Sequence, residues 1–266
     1  MTDDPMPEFG DPFTSHLGYL SMRTAERTAS SWIALRDDLL DGRGRLHTGV
    51  LAYLVDSTAG VVCGMAARPS WVVTADLHVD VVQLPKKGPA RADAVVRRPG
   101  RRQSCGEVIV RDEGDGDRVI AVGTVNHIVG PGDLVGDDVP TGMPIGVRVG
   151  PALPPHPQPV PSLTYLLGVE HDADGVVKMP ITGVAVNPLG FLHGGLSGLL
   201  VSECAAMRGY DIASMMLRYL GPVREGCARA VSTVVPGTGD EPLLQVEISD
   251  DSGRPGAIAT ARLRRA

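Results

Sequence analysis

Two stretches of the chain, Leu46–Ala67 and Leu189–Met207, are apolar with few interruptions and long enough for helices. Asp56, His47, Glu203 and His193 lie inside them. A charge at the middle of a lipid-embedded helix costs at least about 2.5 kcal/mol, so both read as buried helices and no membrane span is expected. After the first comes strict alternation: Trp71, Val73, Ala75, Leu77, Val79 and Val81 are apolar, while Thr74, Asp76, His78 and Asp80 fall between them. A period of two predicts a strand with one buried face. Asp112-Glu113-Gly114-Asp115-Gly116 and Asp250-Asp251-Ser252-Gly253 read as hairpin turns between later strands. Strand regions near Tyr19–Ala34 and Leu163–Thr182 precede the two helices. Strands, one long helix and more strands, written twice, predict an α+β fold.

The repetition is visible in the residues themselves. Leu46-His47-Thr48-Gly49 and Leu192-His193-Gly194-Gly195 open the two helices at an offset of 146 residues. Lys87-Gly88-Pro89-Ala90-Arg91-Ala92 answers to Glu225-Gly226-Cys227-Ala228-Arg229-Ala230, and Ile120-Ala121 to Ile258-Ala259, at an offset of 138. The second copy has therefore lost residues after its helix start, and its helix, ending near Gly209, should be the shorter. Nine prolines fall between Pro131 and Pro161. Proline fixes φ and donates no hydrogen bond, so this segment is expected to be an extended connector rather than core. The expected organisation is one domain over 12–130, a linker over 131–160 and a second domain over 161–266.

Composition narrows the function. A length of 266 residues with 43% hydrophobic and 21% charged positions is enough for two ordinary packed domains. The formal charge of −6 offers no attraction to a phosphate polymer, so a nucleic-acid partner is not expected. The N-terminus, Met1-Thr2-Asp3-Asp4-Pro5, lacks the basic flank and apolar run of a signal peptide. Cys63, Cys105, Cys204 and Cys227 show no CxxC spacing and read as reduced core residues, which points to the cytoplasm and away from bound metal.

The helix starts carry the chemistry. His193-Gly194-Gly195 is preceded six positions earlier by Asn187, whereas His47-Thr48-Gly49 is preceded by Asp41. Nine positions after His47 stands Asp56, and Thr74 opens the following strand. Nine after His193 stands Ser202, with Glu203 one residue late, and Asp211-Ile212 opens the corresponding strand. Together, in register and twice, these residues resemble the hotdog fold, and within it the phenylacetyl-CoA-thioesterase-like branch of acyl-CoA thioesterases. The resemblance spans roughly residues 15–130 and 161–266. It implies two hotdog domains in one chain, each a central helix wrapped by antiparallel sheet, paired as a pseudo-dimer. It also implies hydrolysis of an acyl-CoA, without metal or redox cofactor, and further association into a homodimer.

In that family the site lies between two hotdogs, with Asn and the Gly-rich turn from one and the acid and Ser or Thr from the other. The resemblance then implies one complete site from Asn187, His193, Gly194 and Gly195 with Asp56 and Thr74, and a degenerate one from Asp41, Thr48, Ser202 or Glu203, and Ile212. Such residue types suit the reaction. Free N–H groups at a helix start can stabilise the oxyanion of a thioester under attack, and a carboxylate can deprotonate water or attack directly. Asn187 would position water or thioester and Thr74 the carboxylate or water, while His193 braces the turn. Glu203, about 100° round the helix from Ser202, reads as an interface or solvent residue. Arg101, Arg102, Lys86 and Lys87 lie in expected loops where CoA phosphates could be held. A non-catalytic acyl-CoA-binding protein is the alternative. A hotdog dehydratase would need a His and acid motif that this sequence does not show.

Overall fold

The computed structural model describes residues 12–130, 143–150, 161–172, 175–187, 189–237 and 241–265. The first unit runs α1 (Pro12–Leu17), β1 (Leu20–Ala25), β2 (Thr28–Ile33), α2 (Thr48–Ala67), β3 (Trp71–Val81), β4 (Ala90–Pro99), β5 (Gln103–Asp112) and β6 (Arg118–Gly130). A two-residue strand, β7 (Arg148–Val149), follows. The second unit runs α3 (Leu163–Leu166), β8 (Glu170–His171), β9 (Val176–Pro180), α4 (Gly194–Ala206), β10 (Tyr210–Tyr219), β11 (Cys227–Val235), β12 (Leu243–Ser249) and β13 (Pro255–Arg265). The helix α4 has 13 residues against 20 in α2, the shortening expected from the sequence.

The strands make one sheet in the order β7-β1-β2-β4-β5-β6-β3-β10-β13-β12-β11-β9-β8. The two units meet where β3 pairs antiparallel with β10, Leu77 opposite Leu217. Each unit wraps its helix with the inward face of its own strands. In length and composition α2 is apolar enough to cross a membrane, but Leu51, Leu54, Val55 and Ala59 are buried against the sheet and against α4. Cys63 and Cys204 are buried, and all four cysteines are free.

The helices α2 and α4 cross at their small residues. A Cβ on Gly195 would stand 2.4 Å from the Cα of Tyr53, one on Gly49 2.5 Å from the Cα of Leu199, and one on Gly198 2.6 Å from the Cβ of Ala52. These pairs are related by the repeat, and they run the helices antiparallel about Ala52 and Gly198. Carried along both helices, the crossing brings Asp56 of α2 to the start of α4, and Ser202 of α4 to the start of α2. The fold thus decides which residues can meet before any chemistry is considered.

Three features differ from the sequence expectations. The stretch over 131–160 is not all connector: residues 143–150 are described, Met143 and Val149 are each 4% exposed, and Val149 pairs with Ser21 on β1. Arg148 stacks on the Trp32 ring, 4.5 Å from its centroid. The rest of the stretch lies outside the described residues. Second, the repeat changes offset again. Val108 pairs with Gly123, whereas Val246, its equivalent at 138, pairs with Ala259, so β6 and β13 correspond at 136 and Ile120-Ala121 does not answer to Ile258-Ala259. Third, β3 carries a bulge between Thr74 and Asp76. Strict alternation would turn Thr74 away from Leu77; the extra residue puts both on the helix-facing side.

Candidate active site

Both helices begin the same way. His47 and His193 are N-caps with φ of −59° and ψ of 129° and 133°, and each ring accepts a hydrogen bond at Nδ1 from the amide two residues on, at 3.0 Å from Gly49 and 3.3 Å from Gly195. The histidine of the motif therefore caps the helix start. Tyr53 packs its ring on His193, with centroids 4.5 Å apart.

The turn before each cap is also repeated. Asn187 Oδ1 accepts from the amides of Leu189 at 2.9 Å and Phe191 at 3.2 Å; Asp41 Oδ1 accepts from Arg43 at 2.9 Å and Arg45 at 3.0 Å. Gly190 and Gly44 take the left-handed φ of these turns, 76° and 71°. Either an amide or a carboxylate can hold this turn, which is why Asp41 suffices in the first unit. With Oδ1 so occupied, Asn187 has its Nδ2 amide to offer a ligand.

The crossing then delivers Asp56 to the start of α4. The carboxylate is 4% exposed. Oδ1 accepts a hydrogen bond from Thr74 Oγ1 at 2.8 Å, and Oδ2 lies 2.7 Å from where a Cβ on Gly194 would be. Any larger residue at 194 would push against that carboxylate. In the first unit Thr48 occupies the equivalent place. His193 Nδ1 is 3.7 Å from Oδ2, too far for a hydrogen bond. Tyr219, arriving from β10, donates to the Gly194 carbonyl at 2.7 Å, and burial raises its hydroxyl pKa well above the ordinary value, with Asp56 adding to the effect.

These residues border a cavity of about 520 Å³ with mostly apolar walls. Asp56, Thr74, Asn187, His193 and Gly194 all line it, drawn from both units, as do Met65, Trp71, Val72 and Met143. Gly195 does not; its place is the helix crossing against Tyr53, a packing reason for a residue that the motif grouped with catalysis. Arg101 and Arg102 are in the turn between β4 and β5, where the Arg102 carbonyl accepts from Val129, next to the cavity residue Ile128. Lys86 and Lys87 follow β3 at its other end and do not border the cavity; their amides donate to Asp112. Among the described residues no group of three or more His, Cys, Asp or Glu is arranged to hold a metal ion.

The reciprocal position is built differently. Glu203, 7% exposed, accepts from His47 Nε2 at 2.5 Å and from His171 Nε2 at 2.6 Å. Burial pulls its pKa up, but these two hydrogen bonds outweigh it and hold the carboxyl below its ordinary value. Arg45 bridges Asp41 and Asp211, and Arg43 also reaches Asp211. At this position Asp41 and Glu203 are each tied to side-chain partners.

The sequence reading passed over one cavity residue of consequence. His127 on β6 is fully buried and borders the cavity beside Thr74, its ladder partner. The signal was present: in Ala121, Gly123, Val125 and His127 the inward alternation of β6 ends on a polar ring.

Residues 2–112 match the sequence profile of the acyl-CoA thioesterase C-terminal domain. The whole chain superposes on solved thioesterase structures. One, assigned as thioesterase II from Thermobifida fusca, gives a TM-score of 0.61 at 16% identity, covering 98% of this chain and 100% of that one. The 12:0-ACP thioesterase of Umbellularia californica gives 0.59 at 13%, covering 90% and 94%. One assigned as an oleoyl thioesterase, from Lactobacillus plantarum, gives 0.60 at 15%, covering 90% and 96%.

The fold is the hotdog fold. No curated protein matches the sequence. The profile match over the first hotdog unit, with this fold over the whole chain, supports a thioester hydrolase.

Proposed function

We propose that this double hotdog hydrolyses acyl-CoA, in the manner of the phenylacetyl-CoA-thioesterase-like enzymes its motifs resemble, at one composite site per chain. The observation that carries the reading is Asp56. A carboxylate removed from water is costly unless charge or hydrogen bonds compensate it, and here it is held by a hydroxyl at the wall of an apolar cavity, against a helix N-terminus. A residue that only joined the two units would be better apolar.

The chemistry follows from the neighbours. Asp56, fixed by Thr74, removes a proton from water as the water oxygen bonds to the thioester carbonyl carbon. Negative charge gathers on the carbonyl oxygen, where the Gly194 amide and the positive end of α4 stabilise it. Collapse breaks the carbon–sulfur bond; the proton on Asp56 goes to the CoA sulfur, and acid and CoA leave. Asn187 offers its amide to the thioester or water. The apolar wall of Met65, Trp71, Val72 and Met143 suits a medium-to-long or aromatic acyl group, and Arg101 and Arg102, which do not themselves border the cavity, would hold the CoA phosphates from the turn beside it.

Free-thiol release from a panel of acyl-CoAs tests this. Asp56→Asn should lower turnover about 10²-fold or more with the melting temperature unchanged. A loss of only a few-fold would rule out Asp56 as the base.

A further inference from the structure

His127 is a polar ring with nothing to bind. Its side chain is fully buried, and neither Nδ1 nor Nε2 has a hydrogen-bond partner. Burial pushes its pKa down to about 4 against the opposing pull of Asp56, so at neutral pH the ring is uncharged, with one donor and one acceptor. Buried polar groups are nearly always paired, and one that is not calls for an explanation.

Its surroundings supply one. In the sheet His127 stands directly across from Thr74, whose hydroxyl holds Asp56. Nε2 reaches over α2 one turn beyond Asp56, where a Cβ on Gly60 would lie 3.9 Å from it. Asp56, Thr74 and His127 therefore surround one corner of the cavity. The second unit gives an internal control: by the ladders the equivalents of Asp56, Thr74 and His127 are Ser202, Ile212 and Leu263. Leu263 is fully buried, so this strand position packs well with a leucine. The polar ring is present in the unit that has the acid and absent from the unit that lacks it.

We infer that His127 is a further catalytic residue, which accepts a hydrogen bond at Nε2 from the water that Asp56 deprotonates. The inference rests on the hydrolytic reading above. One water proton passes to Asp56; the other stays on the water oxygen and points at His127, which turns the oxygen lone pair toward the carbonyl carbon. His127 takes up no proton. The acid alone would leave the water free to rotate.

The test is acyl-CoA thiol release and thermal melting for the wild type, Asp56→Asn, His127→Leu, His127→Gln and His127→Asn. His127→Leu should melt at or above the wild-type temperature, as the repeat predicts, and lose about tenfold or more in kcat with KM within about threefold. His127→Gln places an acceptor where Nε2 was and should keep kcat within about fivefold; His127→Asn, which reaches only the Nδ1 position, should not. The two amide variants decide the matter even if His127→Leu fails to fold, and equal kcat in them would overturn the inference. So would wild-type kcat in His127→Leu while Asp56→Asn is inactive, a raised KM alone, or a folded His127→Leu with a lowered melting temperature. A wild type that releases no thiol would remove the hydrolytic reading and this inference with it, a result distinct from an active wild type with an active His127→Leu.

Discussion

Asn187 uses the two ends of one amide for different purposes: the oxygen closes the turn before α4 and the nitrogen is left for the cavity. Asp41 shows that a carboxylate closes the same turn. Asn187→Asp should therefore preserve the fold, with melting within a few degrees, while losing about tenfold or more in turnover because the donor is gone. Full activity in that variant would leave Asn187 as a turn residue alone. At this scale the motif spacing was informative for Asp56, Asn187 and Gly194, since helix starts and a nine-residue interval translate directly into position. Thr74 and His127 were harder to read. The bulge that turns Thr74 inward leaves no mark on the alternation, and His127 needed β6 to be paired with β3 before its neighbour could be known.

At the scale of elements, the shorter second helix was legible because an eight-residue deficit after the helix start can be absorbed only in the helix and its exit. The change of offset between β5 and β6 was not legible. A slip of two residues keeps every side chain on its own face, and small apolar residues at Ala121, Ala257 and Ala259 fit either register. The hairpin turns are held by buried acids: Asp112 accepts from the amides of Lys86, Lys87 and Gly88, and Asp250 from those of Arg224, Glu225 and Ser252. Burial raises the Asp250 pKa, but the Ser252 hydroxyl and the amides overcome this and bring it down to about 2. A carboxyl depressed in the folded state adds stability above its ordinary pKa, near 3.8, and loses it as pH falls toward 2. Asp250→Asn should thus melt about 4 °C or more below the wild type at pH 7, the gap closing between pH 4 and 2. A gap independent of pH would mean that the charge contributes nothing.

The described residues form a single sheet with α2 and α4 at its pseudo-symmetric centre, and the symmetry is broken around Asp56 and Glu203. On one side Asp56 meets Gly194 beside a cavity; on the other Glu203 is tied to His47 and His171, and Arg45 to Asp211. Only the His47–Glu203 pair is buried on both sides; His171 and Arg45 remain partly exposed. The sequence placed Glu203 at the interface or in solvent; it meets His47 of the first unit, and His171, 32 residues away, is brought to it by β8 and β9. The number of acyl-CoA sites per chain separates one composite site from two. A non-hydrolysable acyl-CoA analogue titrated calorimetrically into the protein should bind at one site per chain, and binding of two equivalents with equal affinity would contradict the single composite site.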